Sequence, residues 1–251
     1  MHHFFIPEDY FTKSTVVITG KLVHQLRNVL RLGTGDLITV LDNSGWEYRV
    51  ELKAVENGKV EGKIVNKTLA AGEPRTRITL YQALLKASNF EVVLQKCTEV
   101  GVTVFVPTAC ERCVAGEPDS KRLSRWQDII REAAEQSQRG KLPILHNMTP
   151  FSEACRSARG VSLLPWEGER TEGIGNKLRS YQKTENAPEV NIFVGPEGGF
   201  SSSEVEFARS CGIVPVSLGQ RILRADTAGL VAAAVTLYEF GELDSVKRSV
   251  V

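Results

Sequence analysis

The stretch "NIFVGPEGGFSSSE", Asn191 to Glu204, decides how the rest of the chain is read. Asn191 to Val194 is a short apolar run of strand type, and Gly198 and Gly199 permit backbone angles closed to other residues. Ser201 to Ser203 then offer helix N-caps, with Glu204 near position N3. A buried strand that passes through a glycine turn into a helix start is a layout that holds nucleotides, because backbone N–H groups face the ligand. Yet Glu197 stands where a phosphate loop would carry lysine, and neither GK[ST] nor GxGxxG occurs. A phosphate would meet Glu197 as a like charge. The expected guest is nucleoside-like and cationic, or at least not phosphorylated.

About twenty residues further on, "VSLGQRILRADTAGLVAAA", Val216 to Ala234, repeats the plan: a strand, a glycine turn at Gly219, two arginines and a helix. Two such strand ends side by side would form a cleft at the carboxyl edge of a sheet. The surrounding segments alternate strand and helix, among them "ITLYQALL", "NFEVVLQKCTEVGV", "VFVPTA", "SRWQDIIREAAEQSQR", "FSEACRSA" and "VSLLPW". That alternation predicts an α/β domain with a parallel sheet over 78–245. Residues 1–70 differ: short β-branched runs between Gly, Asn and Asp turns, with one helical insert, "KLVHQLRNVLRL", predict a small β-barrel. Residues 71–77, small, charged and prolyl, are the expected linker.

A chain of 251 residues, 42% hydrophobic, has enough apolar material for one large or two modest cores. "MHHFFIPEDY" lacks the pattern of a secretory leader, and the longest apolar segment, "AGLVAAAVTLYEF", is shorter than the roughly 18 to 20 residues of a membrane span. A cytoplasmic protein without a membrane role is expected. The net charge of +1 neither announces nor excludes nucleic acid, so RNA would need a local basic patch. Five cysteines, an odd number, fit reduced thiols. "CERC" has metal or redox spacing, but no second pair or histidine cluster accompanies it; two ordinary thiols and no metal are expected.

Together "VGPEGGFSSSE" and "LGQRILRADTA" resemble the signature of the SPOUT class of RNA methyltransferases, and within it the RsmE family, which methylates N3 of a uridine in the 16S rRNA of the small ribosomal subunit. The likeness covers nearly the whole chain: "HQLRNVLRLGTGD", "LLK", "QKCTEVGV", "ERC", "RW", "AAEQSQR" and "LP" recur in the family's order and spacing. It implies a PUA-like N-terminal barrel, a C-terminal trefoil-knotted methyltransferase domain, and a homodimer. It also implies S-adenosylmethionine as cofactor. That molecule has a positive sulfonium and no phosphate, which agrees with a glycine loop bearing Glu197.

By the same resemblance the cofactor lies among three loops, near Leu164, at Gly195, Pro196, Glu197, Gly198 and Gly199, and at Leu218, Gly219, Ile222 and Leu223. Arg224 is the candidate to orient the uracil and stabilise its anion, and Asp226 the nearest carboxylate that could act as base. The family pattern usually reads "LRTETA" where this chain has "LRADTA", which puts direct proton abstraction by Asp226 in question. Asp226 could instead cap the final helix or bind an arginine. For RNA, Arg27 and Arg31 at i and i+4 are expected to form a cationic stripe on one helix, with Arg112 and Arg139 added from the shared motifs. The family precedent points to the assembled small subunit as partner. Competing readings are another SPOUT activity, such as ribose 2′-O-methylation of tRNA, and an rRNA-binding assembly factor without turnover.

Overall fold

The computed structural model describes residues 2–181 and 189–244, so the domain end expected at 245 lies outside the described residues. The chain forms two compact units, Met1–Glu73 with Ala134–Leu142, and Pro74–Ala133 with Pro143–Val251.

The first unit holds β1 (His3–Phe5), β2 (Thr15–Thr19), α1 (Lys21–His24), β3 (Leu37–Leu41), β4 (Trp46–Val55) and β5 (Lys59–Leu69). Its sheet runs β1-β3-β4-β5-β2, with β1 parallel to β3 and the other pairs antiparallel. Alternate residues of all five strands, among them Phe4, Ile18, Val40, Leu52 and Val60, meet in one buried cluster under Val23 and Leu26. A sheet whose every strand points to one core is curled around it, the barrel-like form expected from the sequence.

The predicted helix over "KLVHQLRNVLRL" is shorter than its apolar period suggests. α1 passes into a π-helical turn at Gln25–Val29, and Leu32 N–H closes it onto the Leu26 carbonyl at 2.9 Å. Arg31 takes φ 54° beyond the helix end. Arg27 and Arg31 therefore do not form an i, i+4 stripe on one helix. Arg27 lies within the π-helical turn, and Arg31 is itself the left-handed residue past the helix end.

A second difference lies at Ala134–Leu142, which the sequence places in the second domain and the structure joins to the first unit. Ala134 packs with Phe5 and Leu41. Arg139, 2% exposed, grips Glu73 through Nε and Nη2 at 3.1 and 3.2 Å, and Glu73 also accepts the N–H groups of Gly140 and Lys141. Glu73 sits inside the stretch expected to be a linker, where the first unit's segment Met1–Glu73 ends, and it anchors Arg139, Gly140 and Lys141.

The second unit holds β6 (Arg77–Ala83), α2 (Ala87–Val100), β7 (Val104–Ala109), α3 (Ser120–Gln136), β8 (Ile144–Leu145), β9 (Thr149–Pro150), α4 (Phe151–Ser157), β10 (Val161–Pro165), α5 (Ile174–Tyr181), β11 (Glu189–Val194), α6 (Ser202–Ser210), β12 (Val214–Val216) and α7 (Ala225–Glu239). The last residues of α3, from Ala134 on, belong to the first unit. The sheet is parallel, in the order β12-β10-β11-β6-β7-β8, with β9 also on β7. Period-two alternation divides its side chains between two cores. Leu80, Phe105, Leu163 and Ile192 face α2, α3, α5 and α7, while Tyr81, Val106, Leu164 and Phe193 face α4 and α6. This is the α/β architecture expected from the alternating elements.

Candidate functional site

Strands β12, β10 and β11 are consecutive in the sheet, so the loops that leave their carboxyl ends lie side by side. These are the three loops singled out in the sequence. Backbone bonds tie two of them: Trp166 N–H donates to Val216 O at 3.0 Å, Ser217 N–H to Glu172 O at 2.8 Å, and Ile174 N–H to Ser217 O at 3.1 Å. Within the loop after β10, the Thr171 hydroxyl and the N–H groups of Thr171 and Glu172 donate to Glu169 and hold its carboxyl down to about 2.

The glycine loop after β11 turns sharply because two of its residues lack a Cβ. A Cβ on Gly195 would lie 3.2 Å from the backbone nitrogen and ring of Phe200, which is itself buried. Gly199 has φ +68°, and a Cβ there would lie 2.7 Å from Glu167 Oε1, on the loop after β10. The loop ends in the reciprocal cap that the sequence predicts: Ser201 Oγ accepts from Glu204 N–H at 3.3 Å, and Glu204 accepts from Ser201 N–H at 2.9 Å.

Glu197, expected to face a cationic guest, is exposed and accepts the N–H of Lys86 at 3.3 Å. It places negative charge at the amino end of α2, where the helix dipole favours it. Arg112 is exposed, but its Nη1 donates to Gly198 O at 2.8 Å and to Phe200 O at 3.4 Å, which makes it a clamp on the glycine loop. Leu164 is fully buried between Tyr81, Phe193 and their neighbours, so only its backbone is available to a ligand. In the third loop Gly219 has φ +105°, Leu218 and Leu223 are half-buried, and Ile222 is 87% exposed.

Arg224 and Asp226 come together at the start of α7. Arg224 Nη2 lies 3.1 Å from Asp226 Oδ2, with the arginine side chain 74% exposed and the aspartate 15%. Thr227 Oγ1 donates to Asp226 Oδ1 at 3.1 Å, so both carboxylate oxygens are engaged. Arg139 does not join any such surface: it is buried in its pair with Glu73, and a phosphate could reach it only by breaking that pair. That pair gives Arg139 a role in the fold. Arg27 is exposed and bonded to Asn57 Oδ1 at 2.9 Å; Arg31 is exposed as well.

Two participants were missed. Glu167 reaches the glycine loop from a segment with no motif of its own. Gln82, at the carboxyl end of β6 in register with Val194, is buried with Oε1 unpartnered, close beneath Gly229 of α7. Its segment, "ITLYQALL", was read for its place in the strand–helix alternation, without Gln82 being singled out. Among the described residues no group of three or more His, Cys, Asp and Glu side chains could hold a metal, and no helix is long and apolar enough to cross a membrane.

Backbone groups, positive-φ glycines and carboxylates without a loop lysine are a donor set suited to an unphosphorylated, positively charged nucleoside derivative. Comparison with known proteins points the same way. A family model described as RNA methyltransferase domain matches residues 72–237. The ribosomal RNA small subunit methyltransferase E of Synechocystis sp. is 36% identical over 230 residues, 91% of this chain and 75% of that protein. The Bacillus subtilis protein of the same name is 31% identical over 231 residues, 90% of each chain. The crystal structure of a ribosomal RNA small subunit methyltransferase E from Neisseria gonorrhoeae bound to S-adenosyl methionine has 30% identity and a TM-score of 0.83, covering 95% of this chain and 97% of that one. The chain belongs to the ribosomal RNA small subunit methyltransferase E family.

Proposed function

We propose that this protein methylates N3 of a single uridine in 16S rRNA, using S-adenosylmethionine, with the assembled small subunit as substrate and the cytoplasm as its place of action. The observation that carries the reading is the convergence of three loops on the contiguous ends of β12, β10 and β11, with Arg224 directly after the third. S-adenosylmethionine, when bound, supplies the methyl group as an electrophile. The residues proposed to hold it are Gly195 to Gly199, Leu218, Gly219, Ile222 and Leu223, with the backbone at Leu164. Their N–H and C=O groups serve adenine and ribose, and Glu167 adds a carboxylate beside Gly199.

Uracil N3 is protonated at neutral pH, so it must lose that proton while charge on O2 and O4 is stabilised. Arg224 has the exposed guanidinium for the second task. Asp226, engaged by Arg224 and Thr227, is better placed to orient that guanidinium than to take a proton. Asp226→Asn is accordingly expected to lower kcat about tenfold, the loss of one charged contact, with cofactor affinity and the pH profile retained. Disappearance of the ascending limb of the kcat profile would make Asp226 the base instead.

Arg27, Arg31 and Arg112 are the proposed RNA contacts. The trefoil knot is proposed on family grounds for the C-terminal part of the second unit. The homodimer draws support from α7, whose Gly229, Ala232, Ala233 and Leu237 are buried within the unit while Val231 and Ala234 stay half-buried and Tyr238 is 59% exposed. Light scattering is expected to give about twice the chain mass of 27.7 kDa, and Val231→Arg to give the monomer, since an apolar interface core excludes an unpaired charge.

The whole reading is tested by transfer of labelled methyl from S-adenosylmethionine to small subunits that lack the modification, with naked 16S rRNA in parallel. Labelled 3-methyluridine at one site, preferentially in the subunit, is the expected product. A methylated ribose or a different base would overturn the assignment.

A further inference from the structure

We infer that Cys110 and Cys113 are an oxidisable dithiol, and that a hydroperoxide closes them into a disulfide which loosens the glycine loop after β11. The second half of the inference rests on the reading that this loop holds the cofactor. "CERC" follows β7 as a tight turn in which Cys113 N–H donates to Cys110 O at 3.1 Å. A turn of this kind keeps its end Cα atoms within about 7 Å, and a disulfide takes Cα separations of about 4.4 to 6.8 Å. Cys110 N–H also donates to Cys113 Sγ at 3.3 Å, so the second sulfur already lies against the first residue. Both residues are partly exposed and both cysteines are free.

The two differ in character. The Cys110 thiol hydrogen-bonded to Cys113, together with the N–H groups of Cys110 and Leu84, holds the Cys113 thiol down to about 7 against burial. Cys110 is raised, chiefly as the donor of that bond. Cys113, whose sulfur accepts the Cys110 N–H, is the attacking thiol in this inference and Cys110 the resolving one. The Cys113 thiolate attacks the peroxide, two electrons pass from sulfur into the O–O bond, and the sulfenic acid forms as alkoxide or hydroxide departs and takes a proton from water. Cys110 sulfur then attacks the sulfenic sulfur. The S–S bond forms, the S–O bond breaks, and the leaving hydroxide departs as water with the Cys110 proton.

The two residues between the cysteines are what couple this chemistry to the site. Glu111 N–H donates to Glu204 Oε1 at 2.8 Å, the same carboxylate that completes the cap of α6. Arg112 holds the carbonyls of Gly198 and Phe200. A disulfide needs its sulfurs about 2.05 Å apart and a torsion near 90°, in place of the present N–H to sulfur contact. The turn has to re-form around the new bond, and Glu111 and Arg112 have to shift with it. Sequence spacing left these as two ordinary thiols; the attachment of the turn to the loop is what changes the reading.

The test treats the full-length protein with hydrogen peroxide, maps cysteine linkage by mass, and follows amide exchange over residues 195–204 and S-adenosylmethionine binding by calorimetry. The expected result is a Cys110–Cys113 disulfide, exchange in the loop faster by about tenfold, the equivalent of losing one charge-assisted hydrogen bond, weaker cofactor binding, and full reversal by dithiothreitol. Cys113→Ser removes the whole response. Cys110→Ser traps the sulfenic acid on Cys113, detectable with dimedone. Oxidation confined to Cys211, or a disulfide that leaves loop exchange unchanged, would overturn the inference. Faster loop exchange with unchanged cofactor affinity would sustain the thiol switch and instead overturn the placement of the cofactor at this loop.

Discussion

Arg224→Ala is expected to lower kcat for methyl transfer by about two to three orders of magnitude, the usual cost of removing one donor to a developing anion, with S-adenosylmethionine affinity nearly unchanged. The structure separates this effect from any damage to the fold. The Arg224 side chain makes no cap bond to α7; its carbonyl accepts from Thr227 and Ala228 N–H groups, and that carbonyl survives the substitution. Its pair with Asp226 is largely exposed on the arginine side, and such pairs contribute at most about 1 kcal/mol to stability. Single-turnover methylation and calorimetric cofactor binding on the same preparation check the expectation. Full turnover in the alanine variant would remove Arg224 from the chemistry. Arg224→Lys should recover only part of the rate, because an ammonium cannot present a planar pair of donors to O2 and O4.

The second large effect concerns stability. Arg139→Ala leaves the Glu73 carboxylate without its guanidinium partner; Glu73 is 21% exposed and keeps the Gly140 and Lys141 N–H groups, so the loss is expected at the low end of the about 3 to 5 kcal/mol that breaking a buried pair costs. A clear drop in the urea midpoint is expected. In protein that remains folded at low temperature, the salt dependence of RNA binding should keep its slope. A phosphate contact by Arg139 would lower that slope by about one. Loss of slope with unchanged stability would restore Arg139 to the RNA surface and contradict its burial. Arg139→Lys keeps the charge but not the two-pronged geometry, and should fall between the two.

These two arginines show how far the sequence reaches. Arg224 was picked for its place at the mouth of the third loop that the family resemblance implies, and it stands at the start of α7 in the structure. Arg139 was placed by motif alone, and its partner Glu73 is sixty-six residues away. Charge on a residue does not say whether it faces water. The Arg27–Arg31 stripe failed for a nearer reason: apolar spacing suggested a continuous helix, but the helix closes with the bond from Leu32 to Leu26 and Arg31 takes the left-handed region outside it.

Three things were determined by the amino-acid sequence itself: the strand, glycine turn and capped helix at Asn191 to Glu204, the change from β-rich to alternating segments near residue 70, and the resemblance to one methyltransferase family. The first two depend on neighbours a few residues apart, where backbone freedom, capping and side-chain period act, and the third on short motifs in a fixed order along the chain. Only the tertiary structure decided the adjacency of β12, β10 and β11, which brings three separate loops to one place. It also decided the attachment of Glu197 to α2, the grip of Arg112 on Gly198, and the return of Ala134–Leu142 to the first unit. Each of these is set by pairing and packing between segments far apart in the chain, where the closing of long loops and the burial of shared surface select one partner from many.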